Sequence, residues 1–153
     1  VIEHTSKALR MSQKDEVGYC LIDINGNYPE HSYLLTRQNT SSGFYQGIKF
    51  INGSDNSSCY EIFLDDEDGI LKELKDSTND SDAVPLTSDK LKISSIKFSI
   101  NGIDGSIENP KFESFYIQPR ITISMDIQAK ADVEETTQRI QATTSQRNLN
   151  IIE

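Results

Sequence analysis

Residues 115–129 read FYIQPRITISMDIQA, and this stretch decides the fold. Ile117, Pro119, Ile121, Ile123, Met125 and Ile127 fall in one phase, while Gln118, Arg120, Thr122, Ser124, Asp126 and Gln128 fall in the other. A period of two puts the first set on one face of a strand and the second on the opposite face, so one side is core and one is water. Pro119 has no N–H to give to a ladder and belongs at an edge or at the strand's start. Upstream, residues 90–100 (KLKISSIKFSI) place Leu91 and Ile93 in one phase and Ile96, Phe98 and Ile100 in the other. The slip between Ser94 and Ser95 predicts a bulge. Downstream, residues 136–147 (TTQRIQATTSQR) are polar and Thr-rich, with Ile140, Ala142 and Thr144 on one side, and read as a last strand facing largely outward.

Working towards the N-terminus, residues 17–24 (VGYCLIDI), 44–51 (FYQGIKFI) and 58–64 (SCYEIFL) are short and rich in β-branched and aromatic residues. Asn, Gly and Ser clusters such as NGN and NGSDNSS separate them, which is the punctuation of a β-meander. Residues 32–38 (SYLLTRQ) give a further strand, and residues 70–74 are too short to assign. Only residues 1–16 (VIEHTSKALRMSQKDE) lack this character: Val1, Ile2, Ala8 and Leu9 sit near helical spacing, with Thr5 and Ser12 on the same stripe. The expected fold is therefore α+β, an N-terminal amphipathic helix over 1–16 packed on an antiparallel sheet of about six to seven strands spanning 17–153, as a single domain.

The whole chain, 153 residues with 35% hydrophobic residues and no Trp, suits one thin core. Its formal net charge of −9 is the wrong sign for a surface that neutralises phosphates, which argues against nucleic acid by direct contact. No apolar run approaches the length that spans a bilayer, and a start at Val1 instead of Met reads as a processed or truncated piece.

The acidity is local. Residues 61–89 hold ten acidic residues and two lysines, whereas the remainder holds fourteen acidic and thirteen basic. Asp65, Asp66, Glu67, Asp68, Asp76, Asp80 and Asp82 are the candidate interaction surface, on a segment whose Ser, Thr and Asn content also reads as a solvated loop. Calcium is the one cofactor worth weighing, but with Gly69 at the sixth position of an EF-hand loop, Leu64 and Lys75 occupy the first and twelfth ligand positions. Cys20 and Cys59 fall in strand-like segments and read as a disulfide in an oxidising compartment, against the alternative of two buried thiols. The two histidines, His4 and His31, have no CxxC or HxxxH partners for a metal. Phosphate-binding glycine patterns and the GxSxG elbow are missing, so nothing in the sequence points to catalysis. Arg120, Arg139 and Arg147 read as cross-strand partners of acids such as Asp126.

ALRMSQ at the helix end, the strand with Cys59 and Tyr60, PLTSDKLKISSIKFSI, QPRITISMDIQAK and the tail TTSQRNLNI occur in an order that resembles the soluble domain of type IV pilin-like proteins, minor pilins and pseudopilins in particular. The likeness covers most of the chain, most closely residues 85–100 and 118–151. It implies a pilin-like fold in which 1–16 is the C-terminal half of a longer helix whose apolar first half anchors the subunit in the membrane. It also implies a non-enzymatic subunit of an extracellular filament, serving assembly, motility, adhesion or uptake, with other pilin subunits and a host-cell or surface receptor as partners. In that setting the acidic segment would meet a basic partner or another subunit. A secreted β-rich module that binds a glycan or peptide is the competing expectation, with Tyr19, Tyr28, Tyr33, Tyr45, Tyr60 and Tyr116 as stacking surfaces.

Overall fold

A computed structural model describes residues 1–23, 25–26, 32–101, 119–130 and 136–146. The described chain is β-rich: one helix, α1 (Ile2–Arg10), precedes β1 (Ser12–Gln13), β2 (Tyr33–Gln38), β3 (Tyr45–Asn52), β4 (Ser58–Asp65), β5 (Ile70–Lys75), β6 (Val84–Pro85), β7 (Leu91–Asn101), β8 (Arg120–Ala129) and β9 (Thr137–Ser145). All pairings are antiparallel, in the order β6-β5-β4-β3-β7-β8-β9, with β1 and β2 also paired to β3.

This corrects the expected α+β, pilin-like architecture. The helix is nine residues long, and the sheet has nine described strands instead of six or seven. The reason lies at the end of β3. Its last residues need partners that β2 does not reach, and Ser12 and Gln13 supply them by pairing with Asn52 and Ile51. Met11 also accepts a hydrogen bond from the Gly53 N–H at 2.8 Å, so the chain leaves the helix for the sheet. The ladder outweighs a helical pattern whose last buried apolar residue is Leu9. Residues 17–21 form a loop and not the start of the expected strand.

β3 is the hinge of the fold. Along one edge it pairs with β4, and along the other it pairs with β2 from Tyr45 to Phe50 and with β1 from Ile51 to Asn52. Among the described residues its one backbone ladder pair with β7 is Tyr45 and Phe98. One core joins the two halves: Ile48, Phe50, Tyr60, Ile62, Leu64 and Leu71 from the first meet Ile93, Ile96, Phe98, Ile121, Ile123 and Met125 from the second. Phe50 and Tyr60 stack across the β3–β4 pair with ring centroids 5.7 Å apart. Helix α1 closes one side of this core with Thr5, Ala8 and Leu9, which sit at helical spacing on its buried face.

The opposite face of β3 and β4 is also covered. Ile51 packs with Cys20 and Leu21 of the loop, and Leu34 and Cys59 lie against them. The register shift in β7 falls between Ile93 and Ser95, where the sequence phase slips. The extra residue turns Ser94 and Ser95 both to solvent, so Ile93 and Ile96 both reach the core. Pro119 immediately precedes β8, where its missing donor does no harm, and its carbonyl accepts from the Gln146 N–H. The outer face of the β8–β9 pair is a polar ladder. In it Arg139 donates to both oxygens of Asp126, at 2.7 and 3.0 Å, the cross-strand partnership that the sequence predicts. Arg120 is exposed at the start of β8, and Arg147, His31, Tyr28 and Tyr116 lie outside the described residues.

Candidate functional site

The acidic residues singled out from the sequence do not form one surface. Asp65 and Asp68, at the β4–β5 turn, both contact the Lys72 ammonium, and Asp66 accepts from Gln46 at 3.0 Å. Hydrogen bonding to Lys72 holds the Asp65 carboxyl below its usual range. Glu67 donates its N–H to Asp65 and closes the turn, which Gly69 completes at a φ of +69°. Asp80 and Asp82 belong to a single 3-10 turn, Asp80–Asp82. Asp82 accepts from the Ser77 hydroxyl at 2.7 Å, while Asp80 reaches back to the sheet. Asp76 lies at the far end of β5, where its carboxylate accepts from the Cys59 N–H at 2.7 Å. Among the described residues no group of three or more His, Cys, Asp or Glu is arranged to hold a metal ion.

The latch for this segment is Arg37, which takes the left-handed conformation at a φ of 54° where β2 skips one register position. Its guanidinium lies 3.6 Å above the Phe63 ring centroid, donates to Glu61 at 3.0 Å and holds Asp80 through two hydrogen bonds of 2.8 and 2.7 Å. Thr36 donates to the same Glu61 oxygen at 2.7 Å, so this buried carboxylate is fully engaged. Hydrogen bonding to Asp80 raises the Arg37 pKa against the effect of burial, and Glu61 adds to the rise. Lysine keeps the charge but has neither the planar fork nor the stacking surface. Arg37→Lys is therefore expected to lower stability by about 1–2 kcal/mol, read as a shift of the urea midpoint at unchanged slope.

A second, more organised site lies at the opposite end of the β4–β5 hairpin. Asp15 is 1% exposed, yet its carboxylate accepts four backbone N–H groups: Gly18 at 2.8 Å and Tyr19 at 3.2 Å on one oxygen, Cys20 at 2.8 Å and Leu21 at 2.7 Å on the other. Burial works to raise its pKa, and the four donors outweigh it, leaving the carboxyl below its usual range. The loop this carboxylate shapes is clamped to the sheet by the Cys20–Cys59 disulfide, which the sequence anticipates.

Two apolar side chains stand out from this pinned loop, Val17 at 76% and Tyr19 at 52% exposure. The Tyr19 hydroxyl donates to the Ser57 carbonyl, which fixes the ring. Beside it opens a cavity of about 380 Å³, lined by residues 13–17 together with Tyr19, Ile51 and Ser57. Ser57 donates to the Gln13 side chain at 3.1 Å across it. The sequence reading missed this site because it assigned residue 15 to a helix and residue 17 to a strand. The signal was the DEVG run at 15–18, an Asp placed three residues before a Gly, which is how an Asx-type loop begins.

His4, one of the two histidines for which the sequence offers no metal-ligand spacing, is exposed on α1, and its Nε2 lies 3.2 Å from Glu73. No helix among the described residues is long and apolar enough to cross a membrane. No family model, no curated protein and no solved structure matches the chain.

Proposed function

We propose that the chain is a non-enzymatic structural subunit of a type IV pilus or related extracellular filament, in the manner of a minor pilin or pseudopilin. The reading does not rest on a shared fold, because the described residues form a β-rich sheet in which α1 covers only Ile2–Arg10 of the helix expected over 1–16. The observation that supports it is the way α1 is attached. Its inner face is buried at Thr5, Ala8 and Leu9, its last turn receives the Tyr33 hydroxyl on the Leu9 carbonyl at 2.6 Å, and Arg10 donates to Thr144 of β9 at 3.0 Å. These bonds tie one helix to β2 and to β9, which lie in different halves of the sheet. A subunit that carries load between an anchoring segment and its β-rich part needs such a joint. Glu3, His4 and Lys7 remain exposed on the outer side of the helix for contacts with neighbouring subunits. The disulfide suits an extracellular or cell-surface location.

The test is to establish the native residues before Val1, from the encoding DNA and the mass of the mature protein recovered from cells. The expected result is a short basic leader, a cleavage point and roughly 20 apolar residues running without a break into Val1. An ordinary signal peptide ending near Val1, or a hydrophilic upstream domain, overturns the filament reading.

A further inference from the structure

We infer that the groove beside the Asp15 loop is a docking site for an extended segment of a partner protein carrying a lysine or arginine next to an apolar side chain such as leucine. The inference stands apart from the filament reading, since a subunit and a secreted module would both carry the groove. Three observations converge on it.

The first is shape: the cavity of about 380 Å³ is sized for two or three side chains and not for a globular surface, and buried Ile51 gives it an apolar floor. The second is preorganisation. Val17 and Tyr19 are held in water by a loop whose backbone donors are engaged by Asp15 and whose far end is tied to β4 through Cys20. Exposed apolar groups on a rigid loop lose little conformational freedom when covered, so their burial goes into affinity. The Tyr19 ring, fixed at its hydroxyl, also presents a π face to a cation.

The third is charge. Glu16 lines the groove, is exposed and makes no ion pair among the described residues. After burial, the Asp76 and Asp15 carboxylates raise the Tyr19 hydroxyl pKa, so negative charge lies near that hydroxyl. Among the described residues lining the groove, Lys14 is the cation and Glu16 the exposed anion, while Asp76 close by also has Lys75 as a neighbour. A basic side chain laid over Tyr19 meets Glu16 of the groove lining, while an acidic one meets like charge.

The experiment is a two-dimensional amide NMR titration of the disulfide-bonded protein with acetyl-Leu-Arg-amide and, separately, acetyl-Leu-Glu-amide. The arginine peptide is expected to give saturable shifts confined to residues 13–19, 51, 57 and 76, with a Kd on the order of a millimolar that weakens as salt is added. The glutamate peptide is expected to leave these signals in place. Glu16→Lys, a charge reversal at an exposed position, should weaken the arginine peptide at least fivefold. Equal responses to both peptides, no saturable response, or an unaltered response in Glu16→Lys overturns the assignment.

Discussion

Reduction of the Cys20–Cys59 bridge, or replacement of both cysteines by serine, is expected to lower folding stability by about 4 kcal/mol. The bridge joins residues 39 apart in sequence, and in the chain-entropy account a closed loop of that length removes about 4 kcal/mol of freedom from the unfolded ensemble. The native side argues in the same direction. Cys20 and Leu21 are buried against Ile51 on the face of β3 that the main core does not cover, so the loop is that face's lid. For a chain of this size the loss corresponds to a fall in Tm of roughly 10 °C. Differential scanning calorimetry with and without reductant measures it. A fall of less than about 2 °C would show that the loop stays seated without its covalent tie.

Asp15→Ala is expected to cost about 3 kcal/mol, although the position looks unremarkable in sequence. Removing the carboxylate leaves the N–H groups of Gly18, Tyr19, Cys20 and Leu21 without their acceptor, two of them on buried residues. Asp15→Asn keeps one acceptor oxygen and should lose about half as much. The pH dependence follows from the lowered folded-state pKa of this carboxyl. The unfolded chain binds the proton first as pH falls, so the Asp15 contribution is complete above the ordinary Asp range near 3.8 and disappears as pH drops through the folded-state value. Wild-type stability should therefore decline below about pH 4 more steeply than that of Asp15→Ala, in denaturant titrations at stepped pH. Because Asp15 and the disulfide hold the same loop, the combined variant should lose less than the sum of the two, and the difference measures how far each depends on the other.

The sequence made the second half of the sheet legible because β7 and β8 each have one wet face. Alternation from Ile121 to Met125 and the phase slip at Ser94 are written directly in side-chain polarity, and both are present in the structure. What it hid were elements defined by their partners. β5 places Leu71 in the core and Leu74 on the opposite face, both buried, so its short run shows no clean alternation. β1 and β6 are two residues long and exist only because β3 and β5 have unpaired backbone to offer. The Asp15 loop was hidden for a related reason: its order comes from one carboxylate bonding backbone groups, which no pattern of apolar side chains reveals. The acidic segment misled in the other direction. Clustered charge in sequence reads as one surface, but Lys72 and Arg37 draw Asp65, Asp68 and Asp80 to one place while Asp76 bonds the backbone at the other end of the hairpin.

The position of β3 also sets an order of events during synthesis. This strand takes backbone partners from residues 12–13, 33–38 and 58–63, and among the described residues its one ladder pair with the second half of the sheet comes from Phe98. A chain emerging N-terminus first can assemble α1 and β1 to β5 early, but the core over the apolar face of β3 is completed only when β7 and β8 have been made. Contacts so distant in sequence favour slow closure, in the millisecond-to-second range, over the microseconds of helical proteins. Throughout that interval Ile48 and Phe50 lack their partners from β7 and β8, and the disulfide, which seals only the opposite face, does not replace them.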